Sequence, residues 1–141
     1  ALHDAGGALR SRNFYWLSTK DDVIDWADTK WYYTPTKSHA DLTALANLPP
    51  TTLAVSARPL PGPEAAAMVT VENTGKALAF QVRLKMVDAR SGEEQLPVFW
   101  EDNYFELFPG EKREVRVAHS GPTAPGLVPQ ASAWNTAGPA H

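Results

Sequence analysis

The chain has 141 residues, 43% of them hydrophobic, a net charge of −3 and no cysteine. That length holds one domain with a real core plus a remnant of a neighbour. The charge offers no basic footprint for nucleic acid and no cationic face for a membrane, and without cysteine neither a disulfide framework nor a thiolate zinc site can form. No apolar run is long enough to span a bilayer as a helix and no charged-then-apolar leader opens the chain, which begins at Ala1 and reads as a processed or excised piece.

In chain order, Asn13–Thr19 and Trp31–Pro35 carry strand-type aromatics but too few segments to close a sheet of their own, so residues 1–37 are expected to be the end of a preceding domain and its linker. Between them Asp21, Asp22, Asp25 and Asp28 invite a calcium reading. They lack the alternating acids, glycine and terminal glutamate of a known calcium loop, and a solvated loop is the simpler expectation. Ser38–Asp41 looks like a capping-box start, followed by Leu42, Leu45 and Leu48 and closed by Pro49-Pro50, which predicts a helix of at most two turns.

From there the period changes to two. Leu53, Val55 and Ala57 predict a short strand, Val69 and Val71 a second, and Asn73-Thr-Gly75 a turn in which glycine takes positive φ. Phe80, Val82, Leu84 and Met86 alternate with Gln81, Arg83 and Lys85, the pattern of a central strand over 78–88 with one buried face. After a turn at 88–92, the aromatic stretch 96–108 predicts two short strands or one bent one, with Pro97 pointing to an edge or a crossover. Pro109-Gly110 fits the centre of a type II turn, Val115 and Val117 alternate with Glu114 and Arg116, and a last strand falls near 128–135. Short strands punctuated by turns argue for an all-β antiparallel sandwich over residues 38–141.

Phe14-Tyr-Trp-Leu-Ser-Thr19, Trp31-Tyr-Tyr-Thr-Pro35, Ala40-Asp-Leu42 and Pro97-Val-Phe-Trp-Glu-Asp-Asn-Tyr-Phe105, followed by Pro109-Gly-Glu111, together resemble the C-terminal region of glycoside hydrolase family two, in its exo-β-glucosaminidase and β-mannosidase branch. The resemblance runs in order through residues 9–118. It implies an immunoglobulin-like antiparallel β-sandwich preceded by a remnant of another. It also implies a parent with a catalytic (β/α)₈ barrel that is a retaining O-glycosyl hydrolase, and an exported setting, secreted or periplasmic. His39 departs from the family's aromatic, and Glu106 and Phe108 vary the segment before the Pro-Gly turn. The family's catalytic acid follows an asparagine, but this sequence has no Asn-Glu dipeptide, and a barrel needs about 250 residues. The implied role is a non-catalytic domain supporting the barrel; the alternative is a carbohydrate-binding module for chitosan- or mannan-type sugars.

The chemistry legible in the residues is thin. A retaining glycosidase needs two carboxyls about 5 Å apart, and the candidate pairs Glu93/Glu94 and Glu101/Asp102 are sequence neighbours that a strand points to opposite faces. His3, His39, His119 and His141 show no i, i+3 or i, i+4 pairing, and Gly75-Lys76 lacks the upstream glycine of a phosphate loop, so no metal and no cofactor are expected. Trp100, Glu101, Asp102, Asn103 and Tyr104 combine rings with polar groups and form the candidate inter-domain or sugar contact. The expected partners are the parent's barrel, an oligosaccharide, and a second copy of the chain in a weak homodimer seeded by the apolar run at 13–19.

Overall fold

The structure, a computed structural model, describes residues 1–62, 65–119 and 126–140. His141 lies outside the described residues. The chain forms two compact units, Ala1–Leu48 and Pro49–His141.

In the first unit β1 (Leu2–His3) pairs antiparallel with β2 (Leu9–Ser11), and β3 (Val23–Ile24) with β4 (Thr36–Ser38). Ribbons this short bury little, and their ends are tied by side chains instead. Asp4 Oδ1 accepts from the N–H groups of Gly6 and Ala8, both at 2.9 Å. Those backbone bonds, Ala8 first, and Arg10 hold the Asp4 carboxyl below its ordinary range. The helix expected from Ser38 is instead a 3-10 helix over Thr43–Asn47. Ser38 is taken up in β4 opposite Val23, and no side chain caps the 3-10 helix at its N-cap residue Leu42; Asp41 Oδ1 instead accepts from Thr43 N (3.0 Å) and Oγ1 (2.7 Å) at the helix's first residue. Residues 38–48 make their contacts on this side of the division, with Ala40 N–H donating to Asp22 Oδ1 at 2.8 Å and Ser18 Oγ to Asp41 O at 2.7 Å.

The second unit is an antiparallel sandwich. β5 (Leu53–Pro59), β6 (Ala65–Asn73), β10 (Lys112–His119) and β8 (Val98–Trp100) form one sheet in the order β5-β6-β10-β8. β11 (Leu127–Ser132), β7 (Ala79–Asp88) and β9 (Phe105–Leu107) form the other, in the order β11-β7-β9. One core cluster joins them: Val69, Val71, Val115 and Val117 from the first sheet and Val82, Leu84, Met86, Phe105, Leu107 and Ala131 from the second. Val69 lies opposite Val115 and Val71 opposite Arg113, so alternate residues of β6 and β10 share the inner face.

Burial along β7 alternates as expected from Phe80 to Met86, and Ala79 at one end and Val87 at the other are buried out of step. Ala79 pairs with Leu107 and Val82 with Phe105, a bulge at which Gln81 takes φ +55°. The extra residue shifts the phase, so Ala79 and Phe80 are both buried. Two turns repay inspection. Gly110 has φ +76° and Glu111 N–H donates to Phe108 O at 2.9 Å, as the type II turn requires. Gly75, expected to need positive φ, does not have it. It is glycine because a Cβ there would lie 2.1 Å from Thr51 Oγ1 and 2.7 Å from the backbone nitrogen of Thr52.

Candidate functional site

The segment 100–104 is the crossover from the four-stranded to the three-stranded sheet. β8 is an edge strand whose Trp100 lies opposite Val117 and whose Phe99 lies opposite Ala118. A strand turns successive side chains to opposite faces, so Trp100 packs half-buried against the core cluster while Phe99 is 62% exposed. Of the candidate contact residues, Trp100 packs in part on its own sandwich, and Phe99 and Tyr104, the latter 56% exposed, are the rings the crossover presents.

Each polar residue of the crossover is held within the sandwich. Glu101 N–H donates to Arg116 O at 2.9 Å, and Glu101 Oε2 accepts from Arg116 N at 3.2 Å. Asp102 accepts from Asn103 N at 2.8 Å and pairs with the Arg113 guanidinium, which also lies 4.4 Å from the centre of the Phe105 ring. Asn103 takes the part of a strand neighbour: its Oδ1 accepts from Leu84 N at 2.8 Å and its Nδ2 donates to Leu84 O at 3.0 Å. Tyr104 N–H then donates to Val82 O at 2.9 Å, with Tyr104 at φ +60°. For a bulky aromatic that is a strained backbone, and the Asn103 clamp on β7 sustains it. The result is a rigid crossover with outward rings and no free carboxyl pair, suited to contact rather than acid–base chemistry.

The other candidates resolve likewise. Glu94 pairs with Arg83 at 2.9 Å beside the 88–92 turn. In that turn Asp88 Oδ1 accepts from Arg90 N and Ser91 N, and those bonds, Ser91 first, lower the Asp88 carboxyl from its ordinary value. In the acidic segment Asp28 pairs with Lys30 at 2.6 Å and Asp22 lies 3.8 Å from His39 Nδ1. Among the described residues no three His, Asp or Glu side chains gather as a metal site. An open cleft of about 500 Å³ lies between the edge strands β5 and β11, lined by Val55, Ala57, Val87, Val128 and Pro129. Its one carboxylate, Asp88, is already taken up by the turn.

Two residues that organise this region were missed in the sequence. Arg113 stands in phase with Val115 and Val117, and a cation in step with buried valines was the available signal of a rim ion pair. Asn73, fully buried, gave no such signal. Its Oδ1 accepts from Thr51 Oγ1 (2.7 Å) and Gly75 N (3.0 Å), and its Nδ2 donates to Ala77 O (2.7 Å) and Leu107 O (2.9 Å).

A family model described as the exo-β-D-glucosaminidase Ig-fold domain matches residues 31–136. The exo-β-D-glucosaminidase of Streptomyces avermitilis is 40% identical over 142 residues, which cover 96% of this chain and 16% of that protein. The Arthroderma benhamiae enzyme of the same name is 41% identical over 118 residues, 84% of this chain and 13% of its own. In structure the chain is similar to the crystal structure of Amycolatopsis orientalis exo-chitosanase CsxA, with a TM-score of 0.80 and 37% identity over 97% of this chain and 17% of that one. The chain thus spans about a sixth of the length of the curated relative from S. avermitilis.

Proposed function

Because this chain belongs to the family of exo-β-D-glucosaminidase immunoglobulin-fold domains, we propose that it is the non-catalytic immunoglobulin-like domain of a larger exo-β-D-glucosaminidase. In that enzyme it supports the catalytic barrel, and the parent is a retaining hydrolase of β-linked glucosamine rather than mannose. The observation that carries this is likeness over nearly the whole chain, TM-score 0.80 across 97% of it, to a protein of which it covers only 17%. In domain terms the proposal gives residues 1–37 to the end of the preceding immunoglobulin-like domain and its linker, and 38–141 to the last sandwich, with 38–48 as a lead-in that bonds back to Asp22 and Ser18.

The face proposed to meet the barrel is the crossover of Trp100, Glu101, Asp102, Asn103 and Tyr104, with Phe99 and Tyr104 supplying exposed rings and Glu101 the polar rim. The test is an assay of the 141-residue chain and of the polypeptide encoded by its full open reading frame on aryl β-glucosaminide, β-mannoside and β-galactoside. The expected result is no turnover by the chain and glucosaminide hydrolysis by the full polypeptide. Turnover by the chain that is lost on Glu101→Gln or Asp102→Asn would overturn the assignment. A second reading, a carbohydrate-binding module for chitosan- or mannan-type sugars, draws on the same exposed rings. Isothermal titration with chito- and manno-oligosaccharides separates it, since a buttress releases no heat with either.

A further inference from the structure

The first unit keeps its largest rings in water on a backbone that is well tied. Between β3 and β4, Asp25 N–H donates to Pro35 O at 2.9 Å and Lys30 N–H to Tyr33 O at 2.8 Å. Thr29 Oγ1 donates to Trp26 O at 2.9 Å and lies 3.3 Å from Thr34 Oγ1. On this loop Trp31 is 94% exposed, Trp26 76% and Tyr32 67%. Trp31 meets Tyr32 edge-on and Tyr32 meets Tyr33 at a tilt, each with centroids 5.0 Å apart, so the rings brace one another without entering a core. Tryptophan and tyrosine crowded on an ordered, solvent-facing loop are the composition of the centre of a protein interface.

We propose that the loop of residues 25–35 is a second docking surface, with Trp31 as its anchor, and that its occupant is the catalytic portion of the same glycosidase polypeptide. This rests on reading the chain as one domain of a larger exo-β-D-glucosaminidase. Three observations select that occupant. The S. avermitilis relative extends over about six times this length, so most of such an enzyme lies outside the structure. The family match begins at Trp31, so Trp31, Tyr32 and Tyr33 lie within the matched stretch and Trp26 just before it. The polar side chains beside the rings bond to the loop itself, Thr29 to Trp26 and Thr34, and Lys30 to Asp28. Those bonds take up Thr29, Thr34, Asp28 and Lys30 and leave the loop one net negative charge, at Asp25, whereas a sugar site needs several convergent polar groups next to its rings.

Hydroxyl-radical footprinting read by peptide mass spectrometry tests the proposal on the 141-residue chain and on the polypeptide of its full open reading frame. Trp26, Trp31 and Tyr32 should be modified readily in the chain and roughly ten-fold more slowly in the full polypeptide, as burial in an interface core demands. A full polypeptide that hydrolyses aryl β-glucosaminide while these rings stay as reactive as in the chain overturns the docking and leaves the parent assignment intact. A full polypeptide with no such activity overturns the assignment, and the docking with it. Protection in the chain alone, on adding glucosamine tetramer or on raising the chain's own concentration, would assign the patch to a sugar or a second copy and sink the proposal. As a second measurement, Trp31→Ala should lower the melting temperature of the full polypeptide while leaving that of the chain unchanged.

Discussion

The two units use apolar side chains in opposite ways. No described residue of the first unit reaches full burial, although it holds Trp16, Trp26, Trp31, Tyr32 and Tyr33. The second unit buries Val69, Val71, Val82, Leu84 and Leu107 almost completely. The difference lies in sheet closure rather than hydrophobic content. Strands of seven to ten residues in β5, β6, β7 and β10 face another sheet and hide alternate side chains, whereas ribbons of two and three residues have nothing to close against. The first unit therefore depends on carboxylate-capped turns, the second on area removed from water.

The sharpest way to break this contrast is to remove a ring or an aliphatic side chain from each unit. Leu84→Ala, in the inner face of β7, should cost about 2–5 kcal/mol in urea unfolding, while Trp31→Ala, 94% exposed, should stay within about 0.5 kcal/mol. A large loss at Trp31 would mean the first unit has a core after all.

Asn73→Ala comes next. It strips hydrogen bonds from Ala77 O, Leu107 O and Thr51 Oγ1 in a buried site, and the expected loss is about 3 kcal/mol by thermal melting. Gly75→Ala acts on the same corner by overlap with Thr51 and the Thr52 backbone, at about 1–3 kcal/mol. Stability unchanged at Gly75 would show that this corner yields easily.

Trp100→Ala sharpens the comparison within the sandwich. Half-buried on the core at an edge strand, it should cost about 2 kcal/mol, less than a fully enclosed ring. A loss above about 4 kcal/mol would place Trp100 in the core and remove it from the proposed barrel face.

The smallest effect concerns acid. The folded Asp88 carboxyl is held below its ordinary value of 3.8 by the Ser91 and Arg90 N–H groups. Its contribution is therefore complete above the unfolded pKa and lost as the pH falls through the lowered folded one. Asp88→Asn keeps an acceptor oxygen without the titration, so its melting temperature should drop less between pH 7 and about pH 3 than that of the parent chain. Equal drops would show that this turn carries none of the acid sensitivity.

Sequence alone determined the sandwich, because period-two alternation in 53–57, 69–71, 82–86 and 115–117 is a local property of strands with one buried face. It determined the type II turn at Pro109-Gly110 for the same local reason, and the family through motifs kept in order. Tertiary structure alone decided the rest. The bulge at Gln81 depends on β9 pairing with β7, and the reason for Gly75 is the approach of Thr51 from another segment. Asn103 becomes a strand surrogate only once Leu84 lies beside it, and Trp100 turns inward only once β8 pairs with β10. These are contacts between residues distant in the chain, and spacing in one segment carries no record of which other segment will arrive next to it.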